Sequence, residues 1–244
     1  MGGGASVALP EPSAALPPLA VLLGEDVPVA GRRTSAREAA SWRTEQDVWL
    51  DHVTLVEADV EWLEPATSVT AWAVRTPHRF WSRLPNLVRL DLRGGSGEDL
   101  DLLDGCTSLQ WLSINQIRGV SDLAALEGLT ALRFLSLYGL PRVGEIPSLA
   151  QLKRLQYTEV GSMKGLRGLT GLLDAPNLEE LTLIRAVRLG PGDADAIAEH
   201  PSIRAFSWFA EDVPISTREP VVERVSKPRP TVNIQTWPLP DAEL

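Results

Sequence analysis

Residues 109–155 read LQWLSINQIRGVSDLAALEGLTALRFLSLYGLPRVGEIPSLAQLKRL. Leu109, Leu112 and Ile114 return as Leu132, Leu135 and Leu137, a step of 23 residues. Both copies have the spacing L-x-x-L-x-L. The x-L-x-L part alternates with period two, which marks a strand with one buried face. The period then changes to three, through Ile117, Val120, Leu123, Leu126 and Leu129 in one unit and Leu140, Val143, Ile146, Leu149 and Leu152 in the next. A period of three fits a tight 3₁₀-like or extended return path better than an α-helix.

The pattern continues in both directions. Leu87, Leu90 and Leu92 precede it; Leu155, Thr158, Val160 and then Leu178, Leu181, Leu183 follow. Weaker copies read as Leu50, Val53, Leu55; Val69, Trp72, Val74; and Ile203, Phe206, Trp208. The first residues are then separated by 19, 18, 22, 23, 23, 23 and 25 positions. Of 37 leucines, 26 lie between Leu84 and Leu183, so the repeat supplies the core. Each unit is a strand, a turn and a return limb, and its inward side chains are buried only by stacking on neighbouring units.

These units resemble the leucine-rich repeat family, and within it the bacterial internalin-like class. The resemblance implies an α/β fold: a curved right-handed solenoid with a parallel β-sheet on its concave face and short 3₁₀, extended or helical return limbs. It is strongest over residues 85–200. One departure stands out. Counting the first leucine as position 1, the family places Asn or Cys at position 9, where this chain has Gly95, Ile117, Leu140, Met163 and Ala186.

Stacked units need caps at both ends. Ser35-x-x-Glu38 is a capping box, and residues 35–48 are predicted as a cap helix. Asp193 is predicted to open a short helix that ends before Pro201. Three regions follow: an irregular Pro/Gly-rich segment over 1–34, a capped repeat domain over 35–225 and a Pro-rich tail over 226–244. In that tail Thr231–Gln235 alternates and is predicted as a last strand.

Composition narrows the function. Lys and Arg number 23 against 32 Asp and Glu, a net charge of −9. An acidic chain lacks the basic footprint that nucleic acid requires and is repelled by anionic membrane surfaces. Pro10, Pro12, Pro17 and Pro18 break the apolar start, which predicts neither a signal peptide nor a membrane span. The expected setting is cytoplasmic, and the excess of Arg (20) over Lys (3) suggests a GC-rich, bacterial source.

Catalytic chemistry is not legible. Cys106 is the only cysteine and falls in a return limb, where it reads as a small core residue. His52, His78 and His200 lack metal-ligand spacing. Asp193, Asp195 and Glu199 lack the glycine and the ligand order of a calcium loop. Gly94-Gly95-Ser96-Gly97 lacks the Lys-Ser/Thr of a phosphate loop. No catalytic, metal or cofactor residue is therefore assigned, and an enzyme is not expected.

Binding is legible from alternation. Positions 3, 5 and 7 of each strand point away from the core. The first two weak copies then present His52, Thr54, Val56 and Ala71, Ala73, Arg75. The strong copies place Trp111, Phe134 and Tyr157 at position 3 of consecutive strands, with Tyr138 beside them. Arg89 and Arg93 lie on one side of this patch and Glu159 and Glu180 on the other. An aromatic patch rimmed by charge has the composition of a protein-binding hot spot. The expected function is a non-catalytic module binding a protein or peptide through these eight residues. The alternative is a regulatory or immunity subunit that covers a partner enzyme's active site. Behind this reading stand two others: the chain's own Pro-rich ends cover the rings, or the rings simply pack on one another.

Overall fold

The computed structural model of the chain describes residues 35–231. Its centre is one nine-stranded sheet in sequential order. The strands are β1 (Ser41–Trp42), β2 (Asp47–Asp51), β3 (Ser68–Trp72), β4 (Arg89–Arg93), β5 (Trp111–Asn115), β6 (Phe134–Tyr138), β7 (Tyr157–Met163), β8 (Glu180–Val187) and β9 (Ala205–Phe209). Every pairing is parallel except β1 with β2. Parallel neighbours need a crossover between them, and each repeat supplies one as its return limb.

The two periods in the sequence become the two sides of the core. Leu90, Leu112, Leu135 and Leu181 at position 4 are fully buried, as are Ile114, Leu137, Val160 and Leu183 at position 6. The period-three residues Leu123, Leu126, Leu129, Leu149, Leu152, Leu166, Leu169 and Leu172 meet them from the return limbs. Those limbs are short 3₁₀ turns at Trp81–Arg83, Asp101–Leu103 and Ala124–Gly128. Elsewhere they are α-helical at α2 (Asp59–Leu63), α3 (Thr170–Leu173) and α4 (Asp193–Glu199). The limb between β6 and β7 carries no helix.

The missing position 9 asparagines have a backbone substitute. Position 8 of seven successive repeats takes positive φ: His52, Ala73, Gly94, Gln116, Gly139, Ser162 and Arg185. Left-handed backbone turns the chain out of the strand. In the first five of these the position 8 N–H donates to the position 7 carbonyl of the next repeat, from His52 to Trp72 (2.8 Å) through Gly139 to Gly161 (2.9 Å). The turns are thus tied coil to coil without side chains.

Four sequence expectations need correction. First, the cap helix stops early. α1 (Ala36–Ala39) carries the full Ser35/Glu38 capping box, but β1 and β2 follow it. Val48 and Leu50 are completely buried, and their period of two overrides the helical composition of 40–48.

Second, the register of the first two repeats is displaced. Val69 pairs with Leu90 and Val48 with Val69, so those repeats begin at Glu45 and Ala66, steps of 66 − 45 = 21 and 87 − 66 = 21. Ala71, predicted to face outward, is a core residue at position 6. Trp72, predicted inward, is 41 % exposed. The motif misleads here because Val53 and Leu55, just past the strand, also pack on the core.

Third, Met163 pairs with Val187 rather than with Ala186. The extra residue forms a bulge and accounts for one residue of the 25-residue step. Fourth, an unpredicted helix α5 (Ile215–Val225), with Pro220 inside it, follows β9. Val225 is buried and Arg224 bonds Asp195 (2.5 Å) and Glu199 of α4. α4 itself matches its prediction. The segment 1–34, and the tail strand beyond Thr231, lie outside the described residues.

Candidate functional site

The face of the sheet turned away from the core carries three rows of side chains. Strict register makes each row continuous from strand to strand. Position 3 runs Asp47, Ser68, Arg89, Trp111, Phe134, Tyr157, Glu180 and Ala205. Position 5 runs from Trp49 through Asp91, Ser113 and Ser136 to Glu159. Position 7 includes Trp72, Arg93, Asn115 and Tyr138.

Trp111, Phe134 and Tyr157 therefore do stand side by side. Trp111 and Phe134 stack with centroids 5.2 Å apart, and the Arg89 guanidinium lies 4.1 Å from the Trp111 centroid. Cation and ring attract through the ring quadrupole, most strongly when water is excluded. Yet Trp111 retains only 3 % of its surface and Phe134 none. Neither belongs to the leucine core cluster. They form a second, aromatic packing layer on this face. Tyr157 and Tyr138 are half-buried and keep accessible surface.

The charged residues are already engaged. Arg93 donates from Nε to Asp91 Oδ2 (2.8 Å), and the Asp91 carboxylate is buried. Ser136 donates to Glu159 Oε1 (3.2 Å). Burial raises the Glu159 pKa above the usual carboxylate value, and the Ser136 hydrogen bond partly offsets it. Burial also lowers the Arg89 pKa, with Asp91 opposing, and raises that of Tyr157, helped by Glu179 and Glu180. Glu180 accepts from both the N–H and the hydroxyl of Thr231 (3.2 Å each). Pro228 takes the Phe206 N–H (2.9 Å) beyond β9. The chain after α5 thus lies beside β9 at Pro228 and reaches the Glu180 side chain on this face with Thr231.

A second aromatic cluster was missed in the sequence. Trp49 and Trp72 lie 6.1 Å apart. The Arg43 guanidinium is 4.8 Å from the Trp49 centroid and that of Arg93 is 6.0 Å away. Together with Arg89 over Trp111, they extend the ring-and-guanidinium strip from β2 to β7. The signal was the alternation of Asp47-Val-Trp-Leu-Asp51, hidden by the displaced register.

Other candidates resolve into structure. Burial, with Asp104 adding to it, pushes the Cys106 thiol up to about 12, which removes the thiolate a nucleophile needs. Asp193 is buried and accepts from the N–H groups of Leu169 (2.9 Å) and Gly190 (2.8 Å), clipping two coils together. His200 Nδ1 accepts from the N–H groups of Ser202 and Ile203, while Nε2 bonds the Leu173 carbonyl. Among the described residues, no three His, Cys, Asp or Glu side chains are grouped to hold a metal ion. No helix among them is long and apolar enough to cross a membrane.

No protein-family model matches the chain, and no curated protein matches it. Among solved structures it is similar to an internalin from Listeria monocytogenes, at 16 % identity and a TM-score of 0.29, over 73 % of this chain and 71 % of that one.

Proposed function

We propose that residues 35–225 form a curved right-handed leucine-rich repeat solenoid that works as a non-catalytic interaction module. Its sheet lines the concave face, and that face docks a protein or peptide. The observation that carries this reading is the strip of rings and guanidinium groups held in register from Trp49 to Tyr157. Trp111, Phe134 and Arg89 form its rigid floor. Trp72, Tyr138 and Tyr157 supply the accessible aromatic surface, with Arg93, Glu159 and Glu180 as the polar surround. Side chains fixed on a hydrogen-bonded sheet lose little conformational entropy on binding, and Trp, Tyr and Arg are the residue types that dominate hot spots.

The reach of Thr231 to Glu180 supports a second reading, in which the chain's own C-terminal segment occupies the β8 end of this face. The two readings divide the face between them, with the Trp49–Tyr157 portion left to a partner.

The test is quantitative co-purification of the tagged full chain from its host, with Trp72→Ala, Tyr157→Ala and, as a control away from the face, Arg154→Ala. All three side chains have solvent access, so the fold should survive, as thermal melting will verify. A partner held by the wild type and by Arg154→Ala, and depleted at least tenfold by both face variants, is expected. Equal recovery with all four proteins overturns the reading.

A further inference from the structure

The turns that leave β2–β5 enclose a cleft of about 680 Å³ at one end of the sheet. The described residues lining it include His52, Arg75, Ser96 and Arg118, and none of them is acidic. That composition is unusual for a chain of net charge −9. The register explains how it arises. Thr54 bridges to Arg75 and Ser96 bridges to Arg118, so Thr54, Arg75, Ser96 and Arg118 occupy position 10 of four consecutive repeats.

Arg75 and Arg118 therefore stand on either side of Ser96 in repeat order, and all three line the cleft. Both arginines are exposed. Their guanidinium groups make no ion pair or side-chain hydrogen bond among the described residues. The other arginines near this end are occupied: Arg93 by Asp91 and Arg79 by Asp104. The sequence-near carboxylates Asp51, Glu98 and Asp99 do not line the cleft, and Asp51 is taken up by His52 Nδ1 at 2.5 Å. Gly94 and Gly95, at φ 62° and 77°, line the cleft with backbone, and the Trp72 indole packs over Gly94. The half-exposed Trp72 indole borders one wall.

We propose that this cleft binds a small oxyanion, the phosphate or carboxylate group of a small molecule, between the guanidinium groups of Arg75 and Arg118 and over the Ser96 hydroxyl. Guanidinium forks pair with such groups through short, charge-assisted hydrogen bonds. Like charges lining a concave surface concentrate the opposite ion there. The cleft shares Trp72 with the aromatic strip, but the two arginines and Ser96 lie outside that strip, so the inference does not rest on the partner reading above.

Isothermal titration of the full chain with pyrophosphate, orthophosphate and citrate, at matched ionic strength, tests it. One saturable site is expected, with pyrophosphate or citrate favoured according to whether a phosphate or a carboxylate is the natural group. Arg75→Ala and Arg118→Ala should each weaken it at least tenfold. Arg154→Ala and Tyr157→Ala should bind as the wild type does. Absence of saturable binding by all three anions overturns the proposal. So does undiminished binding by the Arg75→Ala/Arg118→Ala double variant, or an equal loss in Arg154→Ala.

Discussion

The Arg89 guanidinium lies 4.1 Å from the centroid of the Trp111 indole, and the same indole stacks on Phe134 at 5.2 Å. Arg89, Trp111 and Phe134 occupy position 3 of three adjacent strands. A face expected to be open therefore carries a buried aromatic layer of its own.

Trp111→Ala should destabilise the fold by about 3–5 kcal/mol, the cost of emptying a buried aromatic site. Arg89→Ala should cost about 1–2 kcal/mol, the worth of a desolvated cation–π contact. Because the two touch, a double-mutant cycle by urea unfolding should show a coupling energy. Strict additivity would show that Arg89 covers the ring without stabilising it.

Thr158 holds position 4 in β7, where the neighbouring strands place Leu135 and Leu181. Its hydroxyl is buried with no hydrogen-bond partner. Thr158→Val keeps the shape and removes that unsatisfied group, and should stabilise by about 1–2 kcal/mol. Chemical denaturation checks it; a loss of stability would mean the hydroxyl is satisfied after all.

Ala73 sits at φ 49°, where a Cβ is strained. Ala73→Gly should therefore stabilise by about 1 kcal/mol, opposite in sign to the usual effect of glycine within a strand. Its melting temperature should rise relative to wild type. A fall would mean that the added freedom of the unfolded chain outweighs the relieved strain.

Glu159 gives a pH signature. Its folded pKa is raised by burial, so between the unfolded and folded values the native state binds more protons than the unfolded state. Stability then falls as pH rises through that window and stays reduced above it. Glu159→Gln should be more stable than wild type at pH 7, and the difference should shrink as the pH falls below the carboxylate range. A pH-independent difference in melting temperature would sink this assignment.

The strong repeats were legible because their chemistry is local. Leu112 and Ile114 must face the core together, and Leu123, Leu126 and Leu129 must return over them, whatever else the chain does. The order of the repeats follows from that spacing; the parallel sheet, which makes Trp111, Phe134 and Tyr157 neighbours, was what the family resemblance implied. The first two repeats were not legible in register. Val53 and Leu55 pack on the core from beyond their strand, so an apolar count could not tell strand from turn. That displacement concealed Trp49, Trp72 and Arg43.

Hydrophobic periodicity, read from residues alone, determined the strand-and-return unit, its 23-residue step and the rows on which Trp111, Phe134, Tyr138 and Tyr157 stand. Only the tertiary structure decided how much of each ring remains exposed, which cations are paired, and where position 10 of adjacent coils meets. The physical reason is range. Periodicity is set by which side of its own strand a residue occupies, whereas exposure and pairing are set by side chains from repeats about 20 residues away and by the segment that returns from α5, 51 residues beyond Glu180.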